Sequence, residues 1–128
     1  MGLVATLDYV TISTAGNGAD FGDLTQAREG VSATASKTRG IFAGGYSGGN
    51  VDTTDYITIA TAANATDFGN LLSGSRLMGS ASDRSRALFG GGISSDVIQY
   101  FTIETTGDAT DFGDLTNSRH GSAGVSGA

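Results

Sequence analysis

Three short runs in the chain alternate two kinds of side chain: Asp8-Tyr9-Val10-Thr11-Ile12, Asp55-Tyr56-Ile57-Thr58-Ile59 and Gln99-Tyr100-Phe101-Thr102-Ile103. Val10 and Ile12, Ile57 and Ile59, and Phe101 and Ile103 share one side at period two, while Tyr and Thr share the other. That is the pattern of a strand with both faces partly covered. After each run comes a turn such as Thr105-Thr106-Gly107-Asp108, whose Gly and Asp suit a hairpin. Then comes Ala-x-Asp-Phe-Gly, or Ala-Asp-Phe-Gly in the first copy. Phe21 and Phe68 lie 47 residues apart, and Phe68 and Phe112 lie 44 apart. A period of this length marks an array of supersecondary units, each too small to bury its own apolar face.

The rest of the unit repeats as well. An Arg follows each Asp-Phe-Gly, at Arg28, Arg76 and Arg119, and a small-residue stretch follows each Arg: Gly30–Ala35, Gly79–Ser82 and Gly121–Val125. Small side chains in a strand imply crowding, as at the narrow centre of a radial assembly. Next come Arg39-Gly40-Ile41-Phe42-Ala43-Gly44-Gly45 and Arg86-Ala87-Leu88-Phe89-Gly90-Gly91-Gly92, short apolar strands closed by glycines that permit a turn or a close approach. Each unit therefore reads as four strands: small-residue, Gly-Gly, Tyr-Thr-Ile and Asp-Phe-Gly. Four strands in about 45 residues is the size of one propeller blade.

Composition supports short strands and turns. The 128 residues include 21 Gly and no Pro, Cys or Trp. Without Cys there are no disulfides and no thiolate metal sites. The net charge of −6 disfavours a nucleic-acid partner, because phosphate binding needs clustered Lys or Arg. The longest apolar runs are a few residues, too short for a spanning helix, and Met1-Gly2-Leu3-Val4 lacks the basic and apolar regions of a secretion signal. No membrane role is expected.

The order of these elements resembles kelch repeats. A kelch blade has an Arg before its inner strand, a Gly-Gly closing the second strand, and a Tyr in the third. An aromatic residue opens the segment leading to the next Arg. Gly44-Gly45 and Gly90-Gly91, Tyr56 and Tyr100, and Arg28, Arg76 and Arg119 match that order, with Phe21, Phe68 and Phe112 where kelch repeats usually have Trp. The resemblance implies an all-β, kelch-like propeller with about three four-stranded blades per chain. The blade equivalents are 1–25, 26–72 and 73–118. The wording Ala-Thr-Asp-Phe-Gly-Asp-Leu-Thr is also similar to repeats in uncharacterised virion and tail-associated proteins of bacteriophages, marine ones especially.

Three blades do not close a propeller, which typically has ~4–8. Two chains supply six, and a homodimer is expected in which residues 119–128 of a partner complete the first blade by strand exchange. Leu3-Val4-Ala5 reads as a truncated Gly-Gly strand, and Gly121–Gly127 as an inner strand without neighbours. The competing expectation is a fragment of a longer propeller.

Candidate chemistry is sparse. Asp108, Asp111 and Asp114 suggest calcium, but the copies put Asn64 and Asn70 at two of those places, and a turn in which Asp67 and Asp111 accept backbone N–H groups is the preferred reading. Asp-Phe-Gly spells a kinase motif without the accompanying loops. The glycine-rich stretches lack a following Gly-Lys-Ser/Thr. His120 is the only histidine and makes a poor metal site alone. No catalytic residue, metal site or cofactor is expected, and the chain is not read as an enzyme. Repeat-specific loops on a rigid scaffold are where recognition resides, which nominates Tyr46, Asn50 and Asp52. Arg28, Arg76 and Arg119 are nominated as a ring around the channel, against a structural role paired to a neighbouring carboxylate. The expected function is structure or recognition, as a virion or tail-associated component binding a host-surface glycan or virion protein, with virion localisation. The alternative is a lectin-like propeller with one weak sugar site per blade.

Overall fold

A computed structural model of the chain describes residues 2–126. The described residues are all-β, with ten strands in three antiparallel sheets. The first sheet pairs β1 (Thr6–Tyr9) with β2 (Ala19–Asp23). The second has the order β3 (Ser32–Ala35), β4 (Arg39–Ala43), β5 (Thr53–Thr58) and β6 (Thr66–Asn70). The third repeats it as β7 (Gly79–Ser82), β8 (Arg86–Gly90), β9 (Val97–Thr102) and β10 (Thr110–Asp114). All neighbours are consecutive in sequence, so each sheet is a meander.

The Phe of each Asp-Phe-Gly occupies the same special position. Leu7 opposes Gly22 and Asp8 opposes Asp20, leaving Phe21 without an opposing residue. Thr54 with Gly69 and Asp55 with Asp67 leave out Phe68 in the same way, as Ile98 with Gly113 and Gln99 with Asp111 leave out Phe112. Each Phe is the extra residue of a β-bulge, which bends the strand and re-aims the side chain. The following glycine absorbs the distortion: Gly22, Gly69 and Gly113 have φ of 149°, 149° and 148°, a region essentially closed to residues with a Cβ. Within each sheet the ring packs edge-on against the strand tyrosine, Tyr9–Phe21, Tyr56–Phe68 and Tyr100–Phe112 at 5.9, 5.8 and 6.1 Å between centroids.

The second and third sheets meet through one of these rings. Phe68 meets Phe101 of the third sheet at 5.3 Å, and Ile41, Ala43, Leu71, Met78 and Phe89 close the core around that contact. Along the Tyr-type strands burial rises through the stack. Val10 and Ile12 are 57% and 97% exposed, whereas Phe101 and Ile103 are 1% and 0%. Phe68 is 3% exposed, but Phe112 of the third sheet is 53% exposed. The stack thus has one open face at each end.

Two expectations need correction. Leu3-Val4-Ala5 forms no strand and does not stand for a Gly-Gly strand. Leu24 N–H donates to the Ala5 carbonyl just as Leu71 donates to Asp52 and Leu115 to Asp96, which makes Ala5 the counterpart of Asp52, beyond the Gly-Gly segment. The stretch Gly121–Ser126 lies in no ladder, because no second strand stands beside it to bond. A Cβ on Gly79 would lie 2.9 Å from Ser122 Oγ, so the stretch still runs along β7. Gly127 and Ala128, at the end of the expected closing segment, lie outside the described residues, as does Met1. Second, Asp67 and Asp111 lie on exposed positions. The turn acceptors are Asn64 and Asp108, which take the backbone N–H of Asp23 and Asn70 at 3.0 Å each.

Truncating the inserted ring removes the aromatic contact between the second and third sheets. Phe68→Ala is expected to lower unfolding free energy by about 3–5 kcal/mol, measured by urea denaturation.

Candidate functional site

The two internal junctions place most of the polar side chains, and the first is charged. Asp55, at the start of the β5 face that turns to the first sheet, is fully buried. It accepts from Thr25 N–H at 3.0 Å, Thr25 Oγ1 at 2.7 Å and Arg28 Nη2 at 3.1 Å. Arg28 Nη2 also reaches the Phe42 carbonyl at 3.3 Å. Both charged side chains have no exposed surface. Burial pulls the guanidinium below its ordinary value, opposed by the charge and hydrogen bond of Asp55. The Arg28 Nε and Nη1 donors have no partner, so desolvation is only partly offset and the pair fixes geometry more than it adds stability.

The second junction has the same positions without charge, and there the Ser75 hydroxyl finds no hydrogen-bond partner. Gln99 replaces Asp55, and its Oε1 accepts from Leu72 N–H at 2.7 Å. Ser75 takes the position of Arg28, which corrects the assignment of Arg76 as the repeat counterpart. Gly45 N–H donates to the Ser75 carbonyl as Gly92 N–H does to Arg119. Gly30, Leu77 and Gly121 share a positive φ of 65°, 58° and 65°. Arg28, Ser75 and Arg119 are therefore equivalent, and Arg76 corresponds to Glu29 and His120.

That one-residue shift gives Arg76 a different task. Its guanidinium stacks over the Tyr46 ring at 4.6 Å, within cation–π range. Tyr46 is fixed by reciprocal backbone bonds with Glu29, at 2.8 and 3.1 Å. The loop onward is pinned where Val51 N–H meets the Gly45 carbonyl, Ser75 N–H the Val51 carbonyl and Leu71 N–H the Asp52 carbonyl. The side chains of Asn50 and Asp52 remain exposed. Of the nominated residues, the structure thus groups Tyr46, Asn50, Asp52 and Arg76 at one loop end of the sheets. Arg28 is sealed in the junction. Arg119 is exposed and donates to Thr116 Oγ1 at 3.1 Å and to the Asn117 carbonyl at 3.4 Å.

The opposite end carries a further tie. Glu104 accepts from Thr38 and Ser36 across the second junction, with Arg39 Nε at 3.6 Å. These hydroxyl donors, Thr38 first, hold the carboxyl below its usual range. Among the described residues no group of three or more His, Asp or Glu gathers to hold a metal. A cleft of about 200 Å³ lies on the open face of the third sheet, floored by Leu88, Ile98 and Leu115 beside Arg119.

Sequence reasoning missed Asp55, Gln99 and Thr25. Their signal is the 47 and 44 spacing of the residues that open the Tyr runs, Asp8, Asp55 and Gln99, read together with Thr25, Leu72 and Thr116. Compared with known proteins, the chain matches no family model and no curated sequence.

The second junction shows what neutralising the first involves. Arg28→Ser alone leaves Asp55 buried without its cation and is expected to cost about 3–5 kcal/mol. Adding Asp55→Gln copies the Ser75–Gln99 arrangement and should recover more than half of that loss in urea denaturation.

Proposed function

We propose that the chain is a non-enzymatic, kelch-like propeller module that assembles with a second copy into a ring of about six blades and serves structure or recognition. The observation that supports it is the repeated junction: two successive sheet pairs are joined by the same bulge, the same turn acceptor and equivalent polar positions. A relation applied at a constant rotation continues until a ring closes or a filament grows. The exposed rings and aliphatics at the two ends favour closure, since such patches in water mark interaction sites. Each closing unit takes its outer two strands, β1 and β2, from one copy and its inner stretch, Gly121–Ser126, from the other.

Recognition in this reading belongs to the Tyr46–Asp52 loop, held rigid by its backbone bonds. The similarity of the repeat wording to phage virion and tail-associated proteins makes a virion partner or a host-surface glycan the fitting class of ligand. A lectin-like role is the second reading. An aromatic face beside an exposed amide and carboxylate, as at Tyr46, Asn50 and Asp52, is a chemistry suited to sugars, and repetition around a ring would offset weak single sites.

Light scattering should give about twice the 12.8 kDa chain mass, and a stable monomer would overturn the ring reading. On a glycan array, the lectin reading expects binding that Tyr46→Ala and Asn50→Ala abolish. No binding by any form leaves the virion-protein reading.

A further inference from the structure

The two open faces carry the two halves of a junction that the chain already makes internally. On the first sheet, Asp8, Val10 and Ile12 occupy the positions that Asp55, Ile57 and Ile59 occupy on the second and Gln99, Phe101 and Ile103 on the third. In both internal junctions those positions are turned to the preceding sheet. On the third sheet, Phe112, Thr116 and Arg119 correspond to Phe21, Thr25 and Arg28. The polar residues match in kind. The charged internal junction sets Thr25 and Arg28 against Asp55, and the open faces carry Thr116 and Arg119 at one end and Asp8 at the other. The neutral combination of Leu72, Ser75 and Gln99 is at neither end.

The backbone is complementary as well. Ala65 N–H donates to the Asp23 carbonyl and Ala109 N–H to the Asn70 carbonyl, at 2.8 and 2.9 Å. The counterparts on the open faces are Gly18 and Asp114. Asn64 and Asp108 accept from Asp23 and Asn70, and their counterpart Asn17 is exposed. Gly22 and Gly69 have their missing Cβ positions occupied by the carbonyls of Ala63 and Gly107, while the same position at Gly113 meets nothing within 4 Å. Gly113 nevertheless keeps the bulge conformation, with φ of 148°.

We propose that the Phe112 face of one copy docks on the Asp8–Val10–Ile12 face of a second copy. Thr116 and Arg119 enclose Asp8 of that copy as Thr25 and Arg28 enclose Asp55, and its Asn17 accepts from Asp114 N–H. This seam rests on the ring reading and names the residues that form it. Apart from the bond that Arg28 makes to the Phe42 carbonyl on β4, every contact it copies comes from β1, β2 and their turn in the second copy. The bonds from Asp55, Asn64 and Ala65, like those from Gln99, Asp108 and Ala109, all lie on the third strand and the turn after it. Charge complementarity selects the occupant: a face that presents one carboxylate beside Val10 and Ile12 fits a face that presents an Arg, a Thr and a half-exposed Phe.

Sedimentation of charge-reversed variants tests the seam. Asp8 and Arg119 are exposed in the single chain, so Asp8→Arg and Arg119→Asp are expected to fold, which circular dichroism checks. Each alone should weaken assembly by more than about 30-fold, the scale for breaking a buried interfacial charge pair. An equimolar mixture of the two should assemble as 1:1 heterodimers, because every Arg then meets an Asp, and the double variant D8R/R119D should assemble with itself. If wild-type protein assembles and the single variants assemble equally well, the seam is wrong and the ring reading stands. If the wild type is monomeric at high concentration, the ring reading falls and takes the seam with it.

Discussion

The Phe-Gly bulge ties the aromatic and backbone contacts of the outer strands together at each junction. The extra residue turns an aromatic ring out of its own sheet and into the next. The glycine after it, held near φ of 149°, leaves space for a neighbouring carbonyl to come against its backbone. A Cβ at Gly69 would collide with the Gly107 carbonyl, so the residue that permits the bulge also permits the close approach. Hydrophobic contact and backbone bonding are thereby tied to one dipeptide. A sheet of four short strands cannot bury enough apolar surface alone, and the bulge lets each one borrow its neighbour's face.

The polar residues decide which faces fit. A buried Arg–Asp pair adds little net stability, since desolvating both charges offsets most of their attraction. It does penalise a mismatch, because a face that offers Arg without Asp leaves a charge unpaired. The chain has one charged and one neutral junction internally, and its ends carry the charged kind. Neutral and charged faces would discriminate between neighbours, as e and g residues do in coiled coils. The loop end with Tyr46 and Arg76 stands apart from this system, which leaves Tyr46 and Asn50 free to differ from repeat to repeat, while Asp52 recurs as Asp96.

Much of the architecture was legible in the chain. The Tyr runs, the Gly-Gly strands and the Asp-Phe-Gly edges are strands β5, β9, β4, β8, β6 and β10, because alternation and β-branched residues report the pleat directly. The period marked Phe68 as a repeated position, but the bulge that turns its ring between the sheets was not legible. The register of the Arg positions was not. Matching residue type aligned Arg76 with Arg28, whereas backbone conformation at Gly30, Leu77 and Gly121 aligns Ser75 with it, since a positive φ is invisible when Leu occupies the position. Leu3-Val4-Ala5 misled for a related reason: three apolar residues resemble a strand, but only the hydrogen bond from Leu24 to Ala5 reveals their register. The loop nomination of Tyr46, Asn50 and Asp52 came from their failure to repeat, and the Tyr46–Arg76 stack that organises the loop needed coordinates.

Amide hydrogen exchange read residue by residue tests most directly whether the open ends are unsatisfied halves of the internal junction. The N–H groups of Asp23 and Asn70 already have side-chain acceptors, and that of Asp114 has no such acceptor among the described residues. As protein concentration rises, the account predicts that protection at Asp114 and Thr116 climbs with assembly while Asp23 and Asn70 stay protected throughout. Exchange at Asp114 and Thr116 that stays fast and unchanged at every concentration would contradict it.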